Sequence, residues 1–210
     1  MKSLLEIFKE NKCDKASHLY HEIYEMYFRP RRLDPIKILE VGIWKGLSHK
    51  SWIEYFPNAE VYGIDIFTRI EEEDVPVLKE KRMHHIKGDS TQSEIESKIR
   101  EKWGDIVFDI VIDDGLHTPD ANRRTFENLH HFINPDTMYF VEDVWPVKDM
   151  TEEERKHHWI LKKIEEITIK KYDEFLYSLY TRNSKPMKYD LRKRSGKMDS
   201  YLIKIERNLL

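Results

Sequence analysis

Two short stretches carry acids in a pattern suited to a hard metal ion. Ile112-Asp113-Asp114-Gly115-Leu116-His117 closes one apolar run, and Val141-Glu142-Asp143-Val144-Trp145 closes the next. If the two runs are neighbouring parallel strands, both acid pairs arrive at one sheet edge. Carboxylates so crowded raise one another's pKa and repel unless a cation joins them. Oxygen ligands select Mg²⁺, with Mn²⁺ or Ca²⁺ as the other candidates. The competing reading is that strand-end acids simply cap the helices that follow. His117 adds a group that titrates near neutral pH and can take a proton from a hydroxyl. A metal bound to that hydroxyl would lower its pKa, and two adjacent hydroxyls could chelate the metal together. Against this, His117 is one of 10 histidines and could be an ordinary loop residue.

The elements that must position these residues follow from the hydrophobic pattern. Residues 1–28 read as helical, with Leu19, Ile23, Met26 and Tyr27 at three- and four-residue spacing, and Pro30 and Pro35 break the chain after them. Strands are expected over Ile36–Val41, Glu60–Ile64, Met83–Lys87, Val107–Ile112 and Thr137–Val141. Helices are expected between and after them over Leu47–Tyr55, Val75–Lys81, Gln92–Lys102, Asp120–Phe132 and Thr151–Lys163. This alternation predicts a doubly wound, Rossmann-like α/β sheet with right-handed crossovers. Glu174–Thr181 and Ser200–Glu206 read as two more strands joined by a polar loop over Arg182–Asp199, so this C-terminal pair should be antiparallel. The expectation is one domain over 1–210: a helical N-terminal extension over 1–35 and a mostly parallel seven-stranded core over 36–210.

In such sheets ligands bind at the carboxyl ends of the strands, near the point where strand order reverses. The first strand ends in Glu40-Val41-Gly42-Ile43-Trp44-Lys45-Gly46, a glycine turn spaced GxxxG rather than GxGxxG. The second ends at Asp65, about two dozen residues after Gly42, where an acid can accept hydrogen bonds from ribose hydroxyls. Ile66 and Phe67 follow and could cover an adenine ring. The third ends in Lys87-Gly88-Asp89-Ser90, where Ser90 or Thr91 also reads as a helix cap.

Together these motifs resemble class I S-adenosylmethionine-dependent methyltransferases. From Asp14 to about Trp145 the chain is similar to the metal-dependent O-methyltransferases that act on the deoxysugars of macrolide antibiotics. "ExGxxxG" at Glu40–Gly46, "DDGxH" at Asp113–His117 and "VEDxW" at Val141–Trp145 stand in the family's order, and Asp14-Lys15-Ala16-Ser17-His18-Leu19-Tyr20 matches a "DK…HxY" stretch that closes over the cofactor. The resemblance implies that S-adenosylmethionine lies on the Gly42–Gly46 turn, with Glu40 toward its amino end. It places Asp65 and Ile66 at the nucleoside, Asp89 with Ser90 beside it at the adenine amine, and Asp113 on the cofactor side. It implies a divalent metal, most simply Mg²⁺, held by Asp114, Glu142 and Asp143, with His117 as general base. The implied acceptor is a sugar hydroxyl, for example on a deoxyhexose such as rhamnose in a glycan.

Composition sets outer bounds. The chain has 210 residues, a formal charge of -3 and one cysteine, Cys13, so no internal disulfide forms and nothing global argues for nucleic acid. No run approaches the roughly 18 apolar residues of a membrane span. A cytoplasmic monomer or homodimer acting on a small-molecule or glycan acceptor is expected. The rivals are an O-methyltransferase of a catechol-type diol, a nicotinamide-dependent dehydrogenase and a non-catalytic cofactor-binding module. The missing GxGxxG counts against the dehydrogenase, and the intact acid–His set against the module. Trp44 and Trp145 are candidate pocket walls. The cations over Lys185–Lys197 read either as a solvated loop or as a grip for an anionic acceptor.

Overall fold

The structure is a computed structural model, described here for residues 1–145, 151–153 and 184–207. Its centre is a seven-stranded sheet in the order β3-β2-β1-β4-β5-β7-β6. The strands are β1 (Lys37–Val41), β2 (Glu60–Asp65), β3 (Met83–Lys87), β4 (Ile110–Asp113), β5 (Met138–Val141), β6 (Ser184–Asp190) and β7 (Tyr201–Arg207). The first five run parallel, and β7 lies antiparallel to both β5 and β6. The seven-stranded, mostly parallel sheet with an antiparallel C-terminal pair is therefore present, although the strand that pairs with β7 is Ser184–Asp190 and not the expected Glu174–Thr181.

Side-chain alternation along the strands splits the core into two layers. Ile38, Ile110, Ile112 and Phe140 enter one layer, with Phe8, Tyr24, Phe28 and Trp52 from α1 (Leu4–Glu10), α2 (Tyr20–Phe28) and α3 (Leu47–Tyr55). Leu39, Val41, Val111, Tyr139 and Val141 enter the other, with Ile95, Ile99 and Leu129 from α4 (Glu94–Trp103) and the end of α5 (Pro119–Asn128). Ser3 and Glu6 form a capping box at the start of α1. Thr118 caps α5 by accepting a hydrogen bond from the Ala121 amide.

Several boundaries differ from the sequence reading. The N-terminal helix is interrupted: a 3-10 turn over Asp14–Ala16 and a left-handed Leu19 separate α1 from α2. That break lets α2 fold back over the sheet edge. Residues expected to be helical over Val75–Lys81 form only a 3-10 turn, Pro76–Lys79, too short for a helix after Pro76. The polar stretch Arg182–Asp199 is not a plain loop. It contains β6 and a short helix α6 (Arg192–Ser195), because pairing with β7 overrides its low hydrophobicity. The strand expected at Glu174–Thr181 and most of the helix expected over Thr151–Lys163 fall outside the described residues.

Candidate functional site

β1 and β4 are neighbours, yet their crossovers leave toward opposite edges of the sheet, so a cleft opens beyond their carboxyl ends. It has a volume of about 560 Å³ and is lined by loops following β1 to β5 together with Lys12 and Asp14 from the N-terminal segment. Of the expected site residues, Gly42, Asp65, Ile66, Asp89, Ser90, Asp114, His117 and Asp143 line it. Glu40, Gly46, Asp113 and Glu142 do not.

One half of the cleft is built on backbone amides. Asp65 Oδ2 accepts from the N–H groups of Ile43 (2.7 Å) and Trp44 (2.8 Å), and Oδ1 accepts from Phe67 N–H (2.6 Å). Trp44 and Phe67 are both left-handed, so this carboxylate fixes two strained turns, each costing about 1 kcal/mol or more. Asp89 Oδ1 accepts from the amide and hydroxyl of Thr91. Ser90 is buried against Thr125, with 2.8 Å between their hydroxyls. Gly42 has φ +91°, and a Cβ there would lie 2.2 Å from the Asp114 carbonyl oxygen. Gly46 serves packing instead, since its Cβ would meet Val77. Trp44, Ile66 and Leu116 give the mouth an apolar, exposed rim. Phe67 and Trp145 are buried and do not line the cleft.

The other half is built on buried side chains. Alternation along β1 and β4, carried one residue past the end of each of β4 and β5, turns Glu40, Asp114 and Glu142 toward the layer of α1–α3. Lys15, only 2% exposed, reaches up between them. Its Nζ lies 2.7 Å from Asp114 Oδ2, 2.5 Å from Glu142 Oε2 and 3.1 Å from Glu40 Oε1. Tyr24 donates its hydroxyl to Glu142 Oε1, and Trp52 donates its indole N–H to Glu40 Oε2. Tyr20 donates to Asp143 Oδ1 at 2.7 Å and accepts from the Asp143 amide. Asp113 falls on the opposite face, where Asn122 of α5 donates to it at 3.0 Å. Asp113 and Glu40, which the resemblance had toward a cofactor, do not line the cleft: Glu40 lies on the α1–α3 side and Asp113 on the other.

Burial sets the charges here. It raises the carboxyl pKa of Asp113 to about 6 against the opposing Asn122 bond, and that of Asp143 to about 7 with Asp114 adding to the effect. It also raises Asp114 and Glu142, which Lys15 counteracts. Burial alone would depress Lys15, but Asp114, Glu142 and Glu40 outweigh it and hold the ammonium charged. Burial lifts the phenols of Tyr20 and Tyr24 as well, so both remain neutral donors.

What remains facing the cleft is a compact ligand set. One ligand atom each from Asp114, His117 and Asp143 lie within 4.8 Å of one another. His117 Nε2 stands 3.8 Å from Asp114 Oδ1 and 3.9 Å from Asp143 Oδ2. Two carboxylates facing the cleft suit a hard cation that keeps water or substrate among its ligands, with the His117 nitrogen beside them. Glu142, the third ligand implied by resemblance, has both oxygens engaged by Lys15 and Tyr24. The sequence reading missed Lys15, Tyr20, Tyr24 and Asn122 as supports. The "DK…HxY" stretch held the signal for two of them, but it pointed to closure over a cofactor, whereas Lys15 lies under the acids.

Strand order, antiparallel closure and this placement of the cleft define the Rossmann-like fold of class I methyltransferases. No protein-family model matches the chain. It is 33% identical over 135 residues to mycinamicin VI 2''-O-methyltransferase of Micromonospora griseorubida, a match covering 61% of this chain and 32% of that protein. It is 31% identical over 135 residues to 8-demethyl-8-(2-methoxy-alpha-L-rhamnosyl)-tetracenomycin-C 3'-O-methyltransferase of Streptomyces olivaceus, again covering 61% of this chain and 33% of the relative. The chain thus spans about a third of the length of the curated relatives it matches. Among solved structures it is similar to the MycE methyltransferase of the mycinamycin pathway in complex with Mg, SAH and mycinamycin VI. That likeness has a TM-score of 0.68 at 23% identity and covers 99% of this chain and 54% of that one. A putative caffeoyl-CoA O-methyltransferase from Staphylococcus aureus gives a TM-score of 0.64 at 13% identity, covering 99% and 93%. The resemblance to deoxysugar O-methyltransferases read from the motifs therefore stands in the sequence comparison, and the structural likenesses show the fold.

Proposed function

We propose that the chain is an S-adenosylmethionine-dependent, divalent-metal-dependent O-methyltransferase acting on a sugar hydroxyl. The observation that carries this reading is the convergence of Asp114, His117 and Asp143 on one wall of the cleft whose other wall is the Gly42 turn and Asp65. When bound, the cofactor supplies an electrophilic sulfonium methyl, and the cation lowers the pKa of a hydroxyl that it touches. Asp65 accepts hydrogen bonds from the ribose, Asp89 with Ser90 reads the adenine amine, and Ile66 covers the ring. The glycine turn lets the backbone pass close to the cofactor, and Glu40 and Asp113 act from behind it as buried braces. Asp114 and Asp143 would hold the cation on the cleft side, Mg²⁺ by their oxygen chemistry, with Glu142 the third acid that the resemblance implies. His117 Nε2, poised between the two acids, would take the acceptor's proton as general base while the bound cofactor gives up its methyl to the acceptor oxygen, the S–CH3 bond breaking to leave S-adenosylhomocysteine.

The names of the relatives support a deoxyhexose, rhamnose among them, carried on a small molecule or glycan. The chain's charge of -3 supports no nucleic-acid acceptor. Among the described residues no helix is long and apolar enough to cross a membrane. We assign the reaction to the cytoplasm and to a monomer or homodimer. The test is calorimetric titration of S-adenosylhomocysteine with and without Mg²⁺, then methyl transfer to a panel of sugars with and without EDTA. Binding with EDTA-sensitive transfer is expected. EDTA-insensitive transfer would remove the metal from the reading, and absence of binding would overturn it entirely.

A further inference from the structure

Trp44 goes against two packing rules at once. It is a large apolar side chain left 48% exposed on the cleft, and its backbone is left-handed, which costs a residue with a Cβ free energy. The turn is nonetheless fixed, because Asp65 Oδ2 accepts the Ile43 and Trp44 amides at 2.7 and 2.8 Å. Strain that is held in place beside a cleft points to a side chain offered to a ligand. The sheet order sets that side chain on the turn at the middle of the cleft. β1 lies between β2 and β3, whose ends lead to Asp65 and Asp89, and β4 and β5, whose ends lead to Asp114, His117 and Asp143. The first group is proposed above for the nucleoside, the second for the cation and the acceptor. The cofactor's sulfur is bonded to a ribose carbon and gives its methyl to the acceptor, so it belongs between the two groups, beside the turn after β1. Among the described residues that line the cleft, only Trp44 and His117 carry aromatic rings. The Trp44 ring already seats a cation, since Lys45 Nζ stands 4.5 Å from its centroid.

We propose that Trp44 is the charge-sensing contact of the cofactor site: its indole face binds the sulfonium of S-adenosylmethionine and gives no such grip to the neutral thioether of S-adenosylhomocysteine. The proposal rests on the methyltransferase reading of the cleft. The other contacts proposed for the cofactor, the ribose with Asp65 and the adenine with Asp89 and Ile66, meet groups that cofactor and product share, so they favour neither. The charges of Asp114 and Asp143 are offset by the cation they are proposed to hold. An aromatic face attracts positive charge through its quadrupole, tryptophan most strongly, and a neutral sulfide feels no such pull. As the methyl passes to the acceptor oxygen, the electron pair of the broken S–C bond stays on sulfur and the positive charge there disappears. The attraction that held the cofactor is thus lost at the step after which the product must leave.

The experiment is calorimetric titration of S-adenosylmethionine and of S-adenosylhomocysteine, without acceptor, into wild type, Trp44→Leu and Trp44→Phe. Leucine keeps apolar bulk without a ring, whereas phenylalanine keeps an aromatic face. Trp44→Leu should bind S-adenosylmethionine about tenfold more weakly and S-adenosylhomocysteine within about twofold of wild type. Trp44→Phe should lose no more than about threefold for S-adenosylmethionine. Equal losses for both ligands in Trp44→Leu would reduce the ring to a contact of shape and overturn the proposal. Unchanged affinities in Trp44→Leu would also overturn it, and a raised KM for the acceptor in that variant would turn the ring toward the acceptor instead. So would a Trp44→Phe variant as weak as Trp44→Leu. Wild-type protein that binds neither ligand would sink the methyltransferase reading itself, an outcome distinct from wild-type binding whose preference Trp44→Leu leaves unaltered.

Discussion

The two halves of the cleft are built by opposite strategies. In the half after β1 to β3, the polar groups are satisfied locally. Asp65 collects three amides from the two turns beside it, and Asp89 turns back on Thr91 two residues on. In the half after β4 and β5, most of the acids are satisfied by side chains from far along the chain, Lys15, Tyr20 and Tyr24 of the N-terminal segment, and Asp113 by Asn122 of the following helix α5. Both halves store strain at the same kind of place. Trp44, Phe67, His117 and Asp143 all sit in left-handed backbone at strand ends. The first two are held by one neighbouring carboxylate, whereas the amide of Asp143 is held by Tyr20. The lesson is that a half made of local bonds can form with its own strands, while a half made of remote bonds exists only once the N-terminal segment has docked.

The sharpest way to break this division is at His117, where the second half should fail chemically and the first should not notice. His117→Ala is expected to lower methyl transfer by about 10²- to 10⁴-fold, the usual worth of a positioned general base. S-adenosylhomocysteine affinity should stay within about twofold. The buried Nδ1 of this ring has no hydrogen-bond partner, so its removal should leave the Tm close to wild type. Full activity in the variant would refute the general-base role.

Gly42→Ala should blur the division rather than respect it. The glycine belongs to the first half, but an added methyl would strike the Asp114 carbonyl, which carries the second. Positive φ and the 2.2 Å approach together predict a loss of about 3 kcal/mol in unfolding free energy, measurable by urea denaturation. Cofactor and metal affinities should fall together. Loss of one without the other would mean that the halves are not mechanically joined at this contact.

That same contrast decides what could be read from the sequence. The sheet, its five parallel strands and the final strand β7 were legible because apolar runs bounded by turn residues are local signals. So were Gly42, Asp65 and Asp89, whose positions at strand ends are themselves the argument. The acid pairs were visible as residue types but not as orientations. Moving a carboxylate by one position transfers it to the other sheet face, which is why Asp113 meets Asn122 while Asp114 meets Lys15. The partners of Glu142 were not legible, since no spacing rule connects residues more than a hundred positions apart. β6 was hidden for a related reason: its polar sequence gains strand structure only from pairing with β7.

A milder test stays inside the first half. Asp65→Ala removes the proposed ribose acceptor and also frees the Trp44 and Phe67 amides that it now binds. Charge-assisted hydrogen bonds of this kind contribute about 1.5–3 kcal/mol, so S-adenosylhomocysteine should bind roughly 10- to 100-fold more weakly by calorimetry. Mn²⁺ affinity, a property of the second half, should change little. Unaltered cofactor affinity would confine Asp65 to bracing the turns.

The smallest effect is expected at Asp113, the acid that faces neither ligand. Its pKa, raised by burial to about 6 in the folded chain, lies above the ordinary value near 3.9 of an unfolded aspartate. The native state therefore binds more protons than the unfolded state between those values. The protonated form favours folding at low pH, and that contribution is lost as pH rises from about 4 through 6. At about 1.4 kcal/mol per unit the loss is on the order of 1–3 kcal/mol. Asp113→Asn should flatten this decline while keeping a polar group against Asn122. Urea unfolding of both proteins across pH 4–7 in EDTA measures the difference. Parallel stability curves would show that Asn122 and the Gly115 amide keep Asp113 ionised throughout, leaving the second half with one more fixed negative charge than burial alone allows.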